Sequence, residues 1–296
     1  MEVPRPLALA REAVDDAARQ SPARLAVSVF AGVVGIFTAL LLSPLATADG
    51  RQAPFADALF TAASAVCVTG LTTVPPSYWS GFGQAVILVG IKVGGLGVMT
   101  LASLLGIAVS RRIGLTQRLL TASETRTTRL GEVGSLLRIV ILTSTTLEVV
   151  IALTLLPRFL ALGETIGTAA WHATFYAVSA FNNAGFVPTD AGLSAHTSDW
   201  WLGLPIVVGV FIGSLGFPVI LNIAARRRTA HRWSPHRWSL HTKLTLLTST
   251  VLVGAGAVAI GALEWNNPST LGGLGTSGKL LAALFGGVMP RSGGFA

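Results

Sequence analysis

Apolar residues fall along the chain in two kinds of run. Five are long: Leu25–Leu42, Phe82–Val109, Leu136–Leu156, Leu202–Ile223 and Leu244–Leu263. A helix needs about twenty residues to cross roughly 30 Å of hydrocarbon, so this pattern predicts five spanning helices. Three other runs are short, DALFTAASAV, WHATFYAVSAF and GKLLAALFGGVMP, and each leads into a small-residue loop ending on or beside glycine. Those loops read CVTGL (Cys67–Leu71), NNAGF (Asn182–Phe186) and RSGGF (Arg291–Phe295). A helix too short to span that ends in such a loop is expected to enter the membrane and turn back. The predicted order is spanning helix, re-entrant loop, spanning helix, twice complete, then a spanning helix and a third loop.

Irregular backbone at membrane depth is tolerable only where protein or a water-filled cavity surrounds it, because lipid offers no hydrogen bonds. Carbonyls facing water at that depth are what replace the hydration shell of a cation. Composition fits a polytopic all-α membrane protein: 51% of the 296 residues are hydrophobic, 11% are charged, and the mean hydropathy is +0.66.

The net charge of +8 is not spread evenly. Arg5, Arg11, Arg19 and Arg24 precede the first span; Arg111, Arg112, Arg118, Arg126, Arg129 and Arg138 follow the second; Arg226, Arg227, Arg228, Arg232, Arg237 and Lys243 follow the fourth. Basic connections stay cytoplasmic, so the N-terminus is expected inside and all three glycine loops open outward. The opposite side carries Asp49, Asp57, Glu164, Asp190, Asp199 and Glu264. Topology and anionic headgroups account for the basic residues, and no aromatic-interleaved basic patch calls for nucleic acid. The single cysteine, Cys67, has no thiol to pair with and reads as a small apolar filler. The five histidines form no catalytic constellation, and no enzyme activity is expected.

An internal repeat adds to this. GGLGV at Gly94–Val98 and GSLGF at Gly213–Phe217 sit at comparable distances after Gly70 and Gly185, a period of a little over one hundred residues. Such glycines serve close helix packing, and they also permit a bend. Lys92 falls near the middle of its span, where a charge costs a few kcal/mol unless paired or wetted. It is either a pore-facing gate element or an ammonium paired locally with carbonyls or with Glu148, the other deep charge.

With these residues in place, FTAASAVCVTGLTTV, IKVGGLGVMTL, SAFNNAGFVPTD, IGSLGFPVILNI and PRSGGF together resemble the Trk/Ktr/HKT superfamily of potassium transporters, over nearly the whole chain from the first span onward. The resemblance implies helix, pore loop, helix units around one pore, each loop giving a glycine whose neighbouring carbonyls bind potassium. The matching positions are Val68, Thr69 and Gly70; Asn183, Ala184 and Gly185; Ser292, Gly293 and Gly294. It also implies a plasma-membrane protein, K⁺ as the transported ion with no cofactor, a homodimer, and a cytoplasmic ring of nucleotide-binding regulatory subunits on the inner loops. Glycine at position 70, where plant sodium-preferring relatives carry serine, leans toward potassium. Cys67 stands where many relatives carry threonine and Asn182 at a position that varies, and neither is expected to alter the carbonyl ring, while Arg291 is expected to brace the third loop rather than touch the ion.

The resulting organisation is a cytoplasmic segment 1–24, a first unit 25–110, a basic loop 111–134, a second unit 135–224, a basic loop 225–241 and an incomplete third unit 242–296. Three loops do not close a fourfold ring, so the chain reads as C-terminally truncated. Two other readings stay open: a non-conducting membrane scaffold or regulatory fragment, and an ion-coupled secondary transporter, whose inverted repeats contrast with the parallel repeats here.

Overall fold

The computed structural model describes residues 22–110, 130–229 and 238–295. Most of the N-terminal segment and much of both basic loops lie outside them. Among the described residues there is no β-strand, only one antiparallel bridge between Thr47 and Trp79. The α-helices among the described residues are α1 (Pro22–Leu41), α2 (Phe55–Val66), α3 (Gly81–Ser110), α4 (Leu130–Ala161), α5 (Ile166–Phe181), α6 (Trp200–Ser214), α7 (Phe217–Thr229), α8 (Leu240–Glu264) and α9 (Thr276–Val288).

The starts of α5, α6 and α8 follow from short polar side chains that accept orphan backbone N–H groups. The Thr165 hydroxyl caps α5 by accepting from Thr168 N, and Ser239 caps α8 by accepting from Thr242 N. Asp199 accepts from Trp201 N and Leu202 N at the start of α6 while its other oxygen takes Arg158 Nε at 2.6 Å. That pair ties the end of α4 to the beginning of α6.

Arg138–Ala161 and Leu240–Glu264 are each long and apolar enough to cross a membrane, and Trp200–Ile223 makes a third if its two arms count together. α1 and α3 supply the shorter apolar stretches Val27–Leu41 and Gly81–Gly97. Large apolar side chains point outward along α4 (Leu142, Val149, Leu153) and α8 (Leu247, Val251, Val258). A continuous apolar exterior of this kind is what lipid contact requires.

The fourth predicted span is not straight. α6 and α7 meet at 101° across Leu215 and Gly216. Gly216 takes φ +79°, which glycine adopts cheaply, and Pro218 has no N–H to continue the α6 ladder. The corresponding motif at Gly94–Val98 lies inside the unbroken α3, where no proline follows. The glycine motifs are therefore alike in sequence and different in backbone.

Packing is sequential. α2 lies against α1 and α3; α5 lies against α4 and α6 and also touches α3; α9 lies against α8 and also α6. Thus α5 rests on α3, and α9 on α6. α5 is buried all round from Phe175 to Phe181, with Phe175 and Val178 in the core of the first unit and Tyr176, Ala177, Ala180 and Phe181 in the core shared by the second and third. Phe159, Tyr176 and Phe295 stack in series at 5.8 and 6.3 Å, tying α4, α5 and the third loop together.

Candidate functional site

The C-termini of α2, α5 and α9 deliver the three glycine loops to one place. Gly70, Gly185 and Gly294 all have positive φ, at +80°, +74° and +66°. A methyl group on Gly70 would overlap the Ala184 carbonyl oxygen, one on Gly185 would lie 2.6 Å from Gly294 O, and one on Gly294 would lie 3.3 Å from Gly185 Cα. The second loop therefore sits between the first and the third. All three glycines line one cavity of 360 Å³, which Trp79, Gln84 and Asp190 also line.

Loops one and two close by the same bonds. Val68 N donates to Ala65 O and Thr69 N to Ser64 O; Asn183 N donates to Ala180 O and Ala184 N to Ser179 O. This is a Schellman closure with Val68 and Asn183 in the left-handed position, at φ +55° and +59°. Asparagine visits that region readily, whereas a β-branched valine is strained there by about 1–2 kcal/mol. Val68→Asn is accordingly expected to raise the thermal midpoint of the detergent-solubilised protein, and an unchanged or lower midpoint would count against the strain.

The third loop departs from the expected equivalence. Met289–Gly293 forms a π-helical turn and only Gly294 is left-handed. Pro290 lacks the N–H that an α-helical continuation needs, which favours the wider turn. The Arg291 guanidinium donates to Ser249 O at 3.3 Å and Ser249 Oγ at 3.1 Å on α8. Arg291→Ala is expected to lose a charge-assisted contact of about 1.5 kcal/mol, read as faster amide exchange across 289–295; equal exchange rates would show that Arg291 does not hold the loop.

Of the other residues singled out in sequence, Thr69 and Ser292 are exposed, Val68 and Asn183 are half-buried, and Ala184 and Gly293 are buried. Cys67, read as an apolar filler, is instead the exposed cap residue of α2. Lys92 and Glu148 meet: Lys92 Nζ lies 2.7 Å from both carboxylate oxygens and 2.8 Å from Ser144 Oγ.

Several braces carry no local signal in the sequence. Asn182 Nδ2 donates to Glu148 Oε1 at 2.9 Å and to Val178 O at 2.8 Å, and Ser179 Oγ donates to Phe186 O at 2.7 Å. The Asn183 amide, oriented to satisfy both neighbours, donates to Val210 O at 2.9 Å and accepts from Ser214 N at 3.2 Å. Gln84 accepts from Trp171 Nε1 at 2.9 Å and donates to Pro188 O at 3.1 Å, joining α3 to α5 and to the segment after the second loop. Asp190 accepts from Ser77 N at 2.8 Å, and hydrogen bonds from Ser77 hold its carboxyl below the usual carboxylate range. That bond is at full strength above the ordinary carboxylate pKa and is lost as pH falls through the lowered value.

No group of three or more His, Cys, Asp or Glu side chains suited to a metal ion occurs among the described residues. Backbone carbonyls and the negative ends of three helices are what this junction offers a ligand.

Comparison with known proteins gives a consistent picture. The chain is 36% identical over 277 residues to the Ktr system potassium uptake protein B of Bacillus subtilis (strain 168), covering 93% of this chain and 60% of that protein. It is 31% identical over 277 residues to the Ktr system potassium uptake protein D of the same organism, covering 93% and 61%. It is 30% identical over 282 residues to the potassium/sodium uptake protein NtpJ of Enterococcus hirae, covering 94% and 60%. The chain thus spans about three fifths of the length of these relatives, which are transport proteins rather than enzymes. The family model for TrkH, described as a cation transport protein, matches residues 17–296, and the chain belongs to that family of all-α polytopic membrane proteins.

Proposed function

We propose that the chain forms the ion-binding part of a monovalent-cation uptake protein that prefers potassium, with the carbonyls of Val68, Thr69 and Gly70, of Asn183, Ala184 and Gly185, and of Ser292, Gly293 and Gly294 around the ion. The observation that carries this reading is the meeting of three left-handed glycines in the lining of one cavity. Left-handed glycine turns let successive carbonyls face a common point without a Cβ in the way. Helix C-termini carry about half a negative charge each, and three of them end at this junction, which favours a cation over an anion. The ion is bound without a side-chain carboxylate, so it is held weakly enough to leave again.

The relatives' names support potassium as the cation: two are potassium uptake proteins and one is a potassium/sodium uptake protein. The alternation of basic connections supports a plasma-membrane protein with its N-terminus in the cytoplasm and the 360 Å³ cavity on the outer side. On this reading the exposed Asp190 sits at the outer mouth, where a negative charge raises the local cation concentration. The basic inner connections are the place for a cytoplasmic nucleotide-binding regulatory ring, and the transporting form is a homodimer.

Uptake of radioactive rubidium by vesicles reconstituted with the full-length protein tests the proposal. Rubidium and potassium are expected to enter and compete with one another, with sodium entering less well. Vesicles that accumulate none of the three above protein-free controls would refute it.

A further inference from the structure

The two loops that close by identical backbone bonds are held differently by side chains. At the cap of α5, Asn182 takes φ −83° and ψ 0°, and at the cap of α2, Cys67 takes the same values. Both amide hydrogens of Asn182 are committed, one to Val178 O within its own helix and one to Glu148 Oε1 on α4. Its oxygen faces α3 at Gly95, where an added methyl would overlap it. Cys67 is exposed and offers no such grip. The next level repeats the contrast: Ser179 Oγ donates to Phe186 O, whereas its counterpart Ser64 Oγ is buried with no hydrogen-bond partner.

The anchor for Asn182 is a buried charge pair. Glu148 is 5% exposed, and its carboxylate is tolerable there only because Lys92 reaches both oxygens from α3 and Asn182 reaches one from α5. The pair therefore fixes α3, α4 and α5 to one another at the end of the helix that leads into the second loop, and the ammonium also donates to Ser144 Oγ one turn before Glu148 on α4. Glu148 also neutralises an ammonium that would otherwise repel a cation at the loop.

We propose that Lys92 and Glu148 are positioning residues that act through Asn182 to fix the carbonyls of Asn183 and Ala184, and that this brace sets the discrimination between potassium and sodium. The inference rests on the three loops being the ion site. Rigid placement matters because a carbonyl cage selects by size only as far as it resists shrinking around the smaller ion. A loop released from its brace can follow sodium inward.

The test uses the full-length protein in vesicles, with rubidium and sodium uptake measured side by side and the thermal midpoint recorded for each variant. Asn182→Cys installs the residue that the first loop already carries at this position, so the backbone turn has a precedent within the chain. It is expected to lower the rubidium-to-sodium uptake ratio at least threefold, with a fall in midpoint from the lost buried hydrogen bonds but no parallel loss of sodium uptake. Glu148→Gln is expected to lower both the ratio and rubidium uptake, since the ammonium is then unopposed. The double variant Lys92→Gln with Glu148→Gln keeps an oxygen for Asn182 without a stray charge, and should recover the ratio toward wild type. A purely structural pair would lower midpoint and uptake of both ions together and leave the ratio unchanged in all three variants, which would overturn the inference. Wild-type vesicles that take up neither ion would instead overturn the ion-site reading beneath it.

Discussion

Gly185→Ala is expected to abolish rubidium uptake and to lower stability by about 2–5 kcal/mol. Two costs add. A left-handed φ of +74° costs an L-residue about 1–2 kcal/mol. The new methyl would also lie 2.6 Å from Gly294 O, and overpacking of this kind costs about 1–3 kcal/mol more. Gly50→Ala separates the two, because Gly50 has nearly the same φ, +72°, with open space around it. It should show only the backbone cost of about 1–2 kcal/mol and retain uptake. Equal effects of the two substitutions on uptake would mean that the meeting of loops two and three is not what matters.

Gly94→Ala and Gly213→Ala are expected to displace the loops from behind. Each of these glycines faces the last residue of a short helix, Gly94 on α3 against Val66 of α2 and Gly213 on α6 against Phe181 of α5. A methyl on Gly94 would lie 2.6 Å from the Val66 carbonyl carbon, and one on Gly213 would lie 2.9 Å from that of Phe181. Both contacts are with backbone, which cannot rotate aside. Alanine is the better helix former by about 1 kcal/mol, so any net loss must come from the overlap, which is expected to outweigh that gain by about 1–3 kcal/mol. Gly254→Ala on α8 meets nothing within 4 Å and should instead stabilise by up to about 1 kcal/mol. Thermal midpoints of the three variants check this; loss at Gly254 or gain at Gly94 and Gly213 would reverse the ranking.

Much of this architecture is written in hydropathy. The short apolar runs before CVTGL, NNAGF and RSGGF become α2, α5 and α9, within a few residues at their starts and two or fewer at their ends. Long-range and conformational features are less legible. The 101° break between α6 and α7 interrupts an unbroken apolar run, and its only local marks are Gly216 and Pro218. Pro290 distinguishes the third loop from the others, although RSGGF resembles them in residue size. The strain at Val68 is invisible in sequence, since valine gives no hint of a left-handed backbone. Lys92 and Glu148 were legible as a candidate pair because they are the two deep charges. The hold of Glu148 on Asn182, 34 residues away, depends on how α4 and α5 pack and has no sequence signature.

Amide hydrogen exchange of the full-length protein, with potassium replaced by N-methyl-D-glucamine in the reference, tests most directly whether the three glycine loops form one ion site. A ligand that binds only the folded junction stabilises what it touches. Potassium is expected to slow exchange together in segments 67–71, 182–186 and 291–295, with a smaller effect from sodium at equal concentration. Protection confined to one loop, or absent from all three, would contradict a shared site.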